Sequence, residues 1–440
     1  MARAAWIKVS LLIYEASQGR GKAIPESNRG TRVVMTQAER RTVGALASVY
    51  LIRMLGLFLL LPVLAIYASR FPAASPTLIG LALGVYGLTQ AALQIPFGRW
   101  SDRWGRKPVI AVGLVLFVAG SVLGALADSL TALILARALQ GGGAISAAVT
   151  ALLADQTRAI VRTRAMALIG ISIGIAFVLS LIAAPLLDTL IGVRGIFWSM
   201  ALAGLAGIAL TCYVVPSERD SRSSGSALRR SRLLDVALSR RLIPLYAAMF
   251  TLHFVLTATF LAVPLLLVDE FALPQGVHWR VYLGTFVASL ALTVPLILGS
   301  ERGRRPVRLL VAAMLITVVA QLILAFGWHR WWAVLTALVL FFGVVNFLEA
   351  ELPALLSRVA PTGDRGAALG VFATGQFTGT FAGGAAGGVL MHLYGVPGVF
   401  LGAAAMALCW TVLAPRTELT GMHTPGHELG AAPADDAGGN

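Results

Sequence analysis

The chain is poor in cysteine. Two residues in 440 supply no disulfide framework, and both, Cys212 and Cys409, fall inside apolar stretches with no metal-ligand spacing around them. Histidine is nearly as scarce. Of the six, His423 and His427 stand four apart, as ligands on a helix can, but Pro425 and Gly426 lie between them in a polar tail, so no metal site is expected. Charge is short as well, 12% of residues against 58% apolar, a balance that no water-facing globule tolerates on its surface. Acidic residues are the scarcer sign, 20 against 35 basic, for a formal charge of +15. The basic residues are spread over short loops between apolar runs, so they read as topology signals and lipid attraction, with no nucleic-acid partner. No phosphate-cradling GxxxxGK[ST] sequence occurs and no loop has room for a catalytic constellation. ATP-driven transport within this chain, enzymatic chemistry and a bound cofactor are therefore not expected.

Apolar length is what the chain has in abundance. Runs of about 20 residues, the length that crosses a ~30 Å hydrocarbon core, occur at 43–67, 78–97, 109–127, 131–154, 165–187, 195–215, 242–268, 281–299, 307–327, 331–356, 367–392 and 396–414. Inside lipid the backbone must satisfy its own polar groups, so these twelve runs predict an all-α membrane protein. With the N-terminus on the cytoplasmic side, the inner loops carry 4, 3, 7, 4 and 2 Lys/Arg. The outer loops carry four in total, Arg70, Arg194, Arg280 and Arg330. That asymmetry predicts two cytoplasmic termini.

The chain also repeats itself. GRKPV at 105–109 recurs as GRRPV at 303–307, Val85-Tyr86 as Val281-Tyr282, Pro62 as Pro264, and RTRAMAL from Arg162 as TGDRGAAL ending at Leu369, with offsets of 198, 196, 202 and 201. The repeat implies two six-helix halves, 43–215 and 242–415, in the same orientation because six is even. The Ser/Arg-rich segment 216–241 joins them as a cytoplasmic linker whose latter part suits a surface helix. Residues 1–34 fit poorly with the membrane region. They read as an extension or an upstream start within a cytoplasmic 1–42 segment, and 416–440 read as a disordered tail.

Between the second and third runs lies GRWSDRWGRKP, 98–108, which must turn two helices at the membrane surface while holding Asp102 among Arg99, Arg103, Arg106 and Lys107. Its spacing, Gly98, Asp102-Arg103, Gly105, Arg106-Lys107, resembles the signature of the major facilitator superfamily. Arg137 to Ala144 resembles the fourth-helix motif of proton-coupled members. Leu55-Gly56 with Pro62-Val63 resembles the first-helix motif of twelve-helix drug:proton antiporters, and the run from Glu39 to about Pro415 the YajR-type bacterial efflux branch. The resemblance implies a secondary active transporter in the inner membrane, monomeric, driven by the proton gradient and exporting lipophilic small molecules by alternating access; a proton-coupled importer or uniporter of a metabolite is the alternative. It implies also that Asp102, Arg106 and Asp155 form a relay that holds the halves together on the cytoplasmic side, with Asp102 facing the start of the eleventh helix near 363–366.

Ionisable groups inside the spans are costly and default to function. They are Arg53, Arg137, His253, Glu349 and Glu351. Glu349 and Glu351 lie about 200° apart around a helix, so they cannot face the same way. Asn346, Glu349 and Pro353 share one stripe, and Glu349 matches the acidic position of the branch's tenth helix. Glu349 is the proton-site candidate, with a structural ion pair as its other reading, and Glu351 is expected to reach for the cytoplasmic surface. Arg137 is tied to proton coupling by the resemblance, and Arg53 is a second candidate. Both could instead bond helix carbonyls. His253 could share the Glu349 proton, although a packing role is the commoner one for a lone histidine. Phe58, Phe254, Phe341 and Phe347, with Asn346, are candidates for an apolar substrate cavity. Gly375, Gly379, Gly383 and Gly387 form a small-residue stripe suited to close packing.

Overall fold

The computed structural model describes residues 35–216, 230–301, 306–361 and 364–414. The extension 1–34, the tail 416–440, linker residues 217–229 and most of the second GR-P copy, 302–305, lie outside the described residues.

All described elements are helical: α1 Gln37–Phe58, α2 Leu61–Ser69, α3 Pro76–Trp104, α4 Arg106–Ala125, α5 Leu130–Gly141, α6 Ser146–Asp155, α7 Ala159–Ala209, α8 Arg230–Ala237, α9 Ile243–Asp269, α10 His278–Glu301, α11 Pro306–Gly327, α12 Trp331–Val359 and α13 Arg365–Leu413. Local chemistry sets several starts. Thr36 and Glu39 form a capping box on α1, Ser75 caps α3 ahead of Pro76, and Ser129 caps α5. Large apolar side chains such as Leu190, Leu205 and Phe326 stay exposed around the bundle, as a lipid-facing surface requires.

Ten helices are long and apolar enough to cross a membrane, and two of them are doubled. The segment Ile160–Val214 would be about 80 Å long if straight, far beyond one crossing. It is a hairpin. Arg158 at its start bonds Glu39, and Lys107 Nζ bonds Cys212 O and Val215 O at its end, all beside the basic loops. Its middle, at Arg194, bonds Asp128 Oδ1 (2.6 Å) and Ala127 O (3.2 Å) on the opposite face. The reversal sits at Gly192, with φ of 67°, where a side chain would be strained. α13 repeats the device at Gly395, also φ 67°. Twelve crossings result. Gly192-Val193-x-Gly195 recurs as Gly395-Val396-x-Gly398 at an offset of 395 − 192 = 203, a further trace of the duplication.

Two crossings are broken. The first is interrupted between α1 and α2 at Leu59-Leu60, just before Pro62; the fourth between α5 and α6, where Gly142 to Ile145 leave the helix. The linker ends in α8, which packs on α13 and whose Val236 O accepts from Tyr246 Oη at 3.4 Å.

Contacts between the halves gather on the face away from the basic loops. α3 and α13 cross there so closely that a Cβ on Gly84 would lie 2.7 Å from Phe381 O, one on Gly384 2.5 Å from Gly80 O, and one on Gly388 2.6 Å from Pro76 O. Arg70 Nη2 donates to Gln275 Oε1 at 3.2 Å across the same face. At the basic end of α13, by contrast, a Cβ on Gly366 or Gly370 would meet nothing within 4 Å. Among the described residues, the close contacts between the halves thus gather on one side.

Candidate functional site

α9 is buried along almost all its length and presents His253 to α12 and α13. His253 Nδ1 lies 3.3 Å from Met249 O, and a carbonyl only accepts, so the neutral ring carries its proton on Nδ1. Nε2 then offers a lone pair. That atom accepts from the Gln376 amide at 2.8 Å and lies 3.2 Å from Glu349 Oε1. Nε2 has one lone pair, so it accepts from Gln376 or from a protonated Glu349 and not from both; a hydrogen bond to Glu349 needs one proton between the two atoms, on the carboxyl or on the ring. His253 is buried, whereas the Glu349 side chain is 27% exposed. The geometry pairs a buried imidazole with a carboxyl that is less enclosed.

The α12 stripes separate as the spacing indicates. Asn346, Glu349 and Pro353 are partly open, and Asn346 Nδ2 donates to Ser289 Oγ at 3.4 Å. Glu351 departs from expectation. It does not reach the surface but is 7% exposed, with Oε1 unpaired, on the same buried stripe as Leu348 and Leu355. Its short stem cannot carry the carboxylate past the helices packed on that face.

Arg53 and Arg137 are fully buried in the first half. They hold the two broken helices to each other. Arg53 Nε donates to Gly143 O at 2.7 Å and Nη2 to Gly141 O at 3.3 Å, where α5 unwinds, and Nη2 also bonds Gln90 Oε1. Arg137 Nη1 donates to Gly56 O at 3.2 Å, near the break after α1, and to Gln140 Oε1. Both guanidinium groups lie over the Tyr86 ring, Arg53 4.7 Å and Arg137 4.6 Å from its centroid. The ring's negative π-face offsets part of the cost of burying both cations. These partners all belong to the first half, so the carbonyl-bonding reading describes both arginines, and neither shares a hydrogen bond with His253 or Glu349.

The four phenylalanines expected to line a cavity are packed instead, each 5% exposed or less. Phe58 meets Phe177 edge-on at 5.3 Å, and Phe341 lies 5.4 Å from Phe342. Phe254 sits against α13, where its carbonyl closes on Gly383, and Phe347 is enclosed. The spacing gave no sign of the rings that join the halves. Phe177 reaches Phe260 (6.5 Å) and Phe342 (6.3 Å), forming an aromatic plug on the sealed side of the His253–Glu349 pair. Only contacts between distant helices reveal it.

At the basic face Gly105, with φ of 96°, makes the tight turn from α3 to α4. Arg106 Nη1 bonds Asp102 and Ser101 Oγ (2.9 Å), and its Nε lies 3.4 Å from Asp155 Oδ2. Asp102, Arg106 and Asp155 thus meet. Asp102 is half exposed; Gly363 of the eleventh-helix start lies outside the described residues. Arg103 is exposed, Lys107 caps the end of the sixth crossing, and Gly98 lies over Ala147. A further clamp has no signature in the sequence. Glu39 accepts from Arg158 Nε (2.9 Å), Nη2 (3.0 Å) and backbone N (3.1 Å), capping α7 from α1.

Residues 46–301 and 281–433 match the family model of the Major Facilitator Superfamily. The chain is 43% identical to the Inner membrane transport protein YajR of Escherichia coli (strain K12), over 86% of this chain and 84% of that protein. It is 29% identical to the Multidrug resistance protein MdtL of Shigella flexneri serotype 5b (strain 8401), over 57% of this chain and 64% of that protein. Among solved structures it resembles a bacterial homologue of the human lysosomal transporter Spinster in an inward-facing, unoccupied conformation. The TM-score is 0.67 at 14% identity, over 89% of this chain and all of that one, a likeness of fold.

Proposed function

This chain belongs to the major facilitator superfamily and is a multi-pass membrane transporter, and from that premise we propose that it exports lipophilic small molecules across the bacterial inner membrane in exchange for protons. The observation that carries the reading is the His253–Glu349 contact, an imidazole and a carboxyl 3.2 Å apart inside the apolar bundle, the carboxyl 27% exposed. A group that must exchange a proton with one face at a time needs this arrangement.

In this cycle the basic face is cytoplasmic and the described conformation is the one open to the cytoplasm. Cargo and proton compete for the region around Glu349. Proton loss to the cytoplasm leaves a carboxylate that favours cargo, and closure of the cytoplasmic side comes next as the Asp102–Arg106–Asp155 cluster docks on the second half. The aromatic plug and the α3–α13 crossing then part. Export is supported by the name of the MdtL relative and by the resemblance to drug:proton antiporters, and it is the direction to test. In everted membrane vesicles holding the protein, an interior-acid gradient should drive accumulation of ethidium, and a protonophore should abolish it. Gradient-independent equilibration, or uptake only with the gradient reversed, would favour the uniporter or importer.

A further inference from the structure

A cavity of about 380 Å³ opens at the basic face, apart from the His253–Glu349 site. Three elements build it. Arg41 comes from the second turn of α1, Lys107 from the first turn of α4, and Cys212, Tyr213, Val215 and Pro216 from the end of the sixth crossing, where the chain winds as a π-helical turn over Leu210–Val214. The charged side chains in its wall are both cations. Lys107 Nζ is anchored by Val215 O at 2.8 Å and Cys212 O at 3.3 Å, which fixes its charge at the rim, while Arg41 is exposed. α4 begins at Gly105 with no side-chain cap, so the positive end of its dipole adds to the same corner. An anion with several acceptor oxygens suits this corner. Arg41 can take two of them in a planar fork, and Lys107 contributes a point charge.

The remaining wall says which anion. Tyr213 is 88% exposed, at the depth where the apolar run of the sixth crossing ends, and Val214 lines the cavity beside it. An exposed aromatic ring at that level faces acyl chains and headgroups. We propose that this cavity binds the phosphate of an anionic phospholipid, seated between the starts of α1 and α4 and the end of the sixth crossing. A bound headgroup would tie the start of α4, which carries Arg106, to α1 and the end of the sixth crossing, and so stiffen the first half beside its gate. The chemistry recognised is phosphate. A free phosphate ion offers the same oxygens without the acyl chains that Tyr213 faces.

The test is a titration of the purified full-length protein with phosphatidylglycerol, phosphatidylcholine or inorganic phosphate, bound ligand being counted by native mass spectrometry. Phosphatidylglycerol should bind more tightly than either of the others, and Arg41→Gln should weaken it about fivefold. Arg40→Gln removes the same charge one residue away, outside the cavity wall, and should leave the affinity unchanged. Inorganic phosphate binding as tightly as the lipid, with the same loss in Arg41→Gln, would assign the cavity to a soluble anion and overturn the lipid. Equal affinity for phosphatidylglycerol and phosphatidylcholine, or equal losses in the two arginine variants, would overturn the site itself. Neither arginine belongs to the gate or the proton pair, so melting curves of both variants should match the parent and show that binding, not folding, is read.

Discussion

Tyr86 lies against two buried guanidinium groups whose hydrogen bonds go to carbonyl and amide oxygens. The ring matters here, so Tyr86→Phe should leave thermal stability almost unchanged. Tyr86→Leu should cost about 2 kcal/mol or more, the scale of a desolvated cation–π contact, measured by thermal unfolding in detergent. Glu39 gives a second case. Glu39→Gln should lower the melting temperature, and adding Arg158→Gln should lower it little further, because both act on one clamp. Additive losses would show that they act apart. Glu349 could be picked out from the sequence because its neighbours at three- and four-residue spacing differ in polarity from those of Glu351. That Glu351 is buried could not be read, since one helix's pattern does not say how deeply its neighbours cover the other face. The Glu39 clamp was equally hidden, as a polar helix start looks the same whether or not a distant arginine meets it.

At the scale of elements, glycine decides where helices approach. The stripe Gly375, Gly379, Gly383 and Gly387 was visible from its four-residue period, and it lets α13 lie on the backbone of α9. Gly384 and Gly388, one residue along, face α3 of the other half; the sequence alone gave no reason to separate them from the first stripe. Gly84→Ala should overpack that crossing, at a typical cost of about 1–3 kcal/mol, and shift molecules toward the state open on the sealed face. Spin labels at Ala74 and Gln275, after Cys212 and Cys409 are changed to serine, should report a longer distance. Gly366→Ala, which meets open space, should leave the distance unchanged. The turn at Gly98 to Pro108 makes its own prediction. Asp102→Asn should insert normally but slow transport about fivefold, as expected when one charge-assisted hydrogen bond is weakened at a half-exposed site. Undiminished transport would reduce the block to a topology signal.

For the molecule as a whole, the apolar run lengths and the near-constant repeat offsets were enough to give twelve crossings in two parallel halves. The physical reason is that lipid permits little other than helices. Where the helices break was not read from the sequence, in which 43–67 and 131–154 are continuous apolar runs; the arginines that bridge the breaks explain why they are tolerated. Which side is closed could not be read at all, because it depends on contacts between residues far apart in the chain, such as Phe177 with Phe342 or Gly84 with Phe381. The functional reading turns on a single shared proton between His253 and Glu349. The direct measurement is proton release into weakly buffered solution when lipophilic compounds such as ethidium or tetraphenylphosphonium are added to the purified protein, compared with Glu349→Gln. The parent should release about one proton per molecule bound, and Glu349→Gln none while still binding. Equal release by both proteins would contradict the assignment of the proton to this pair.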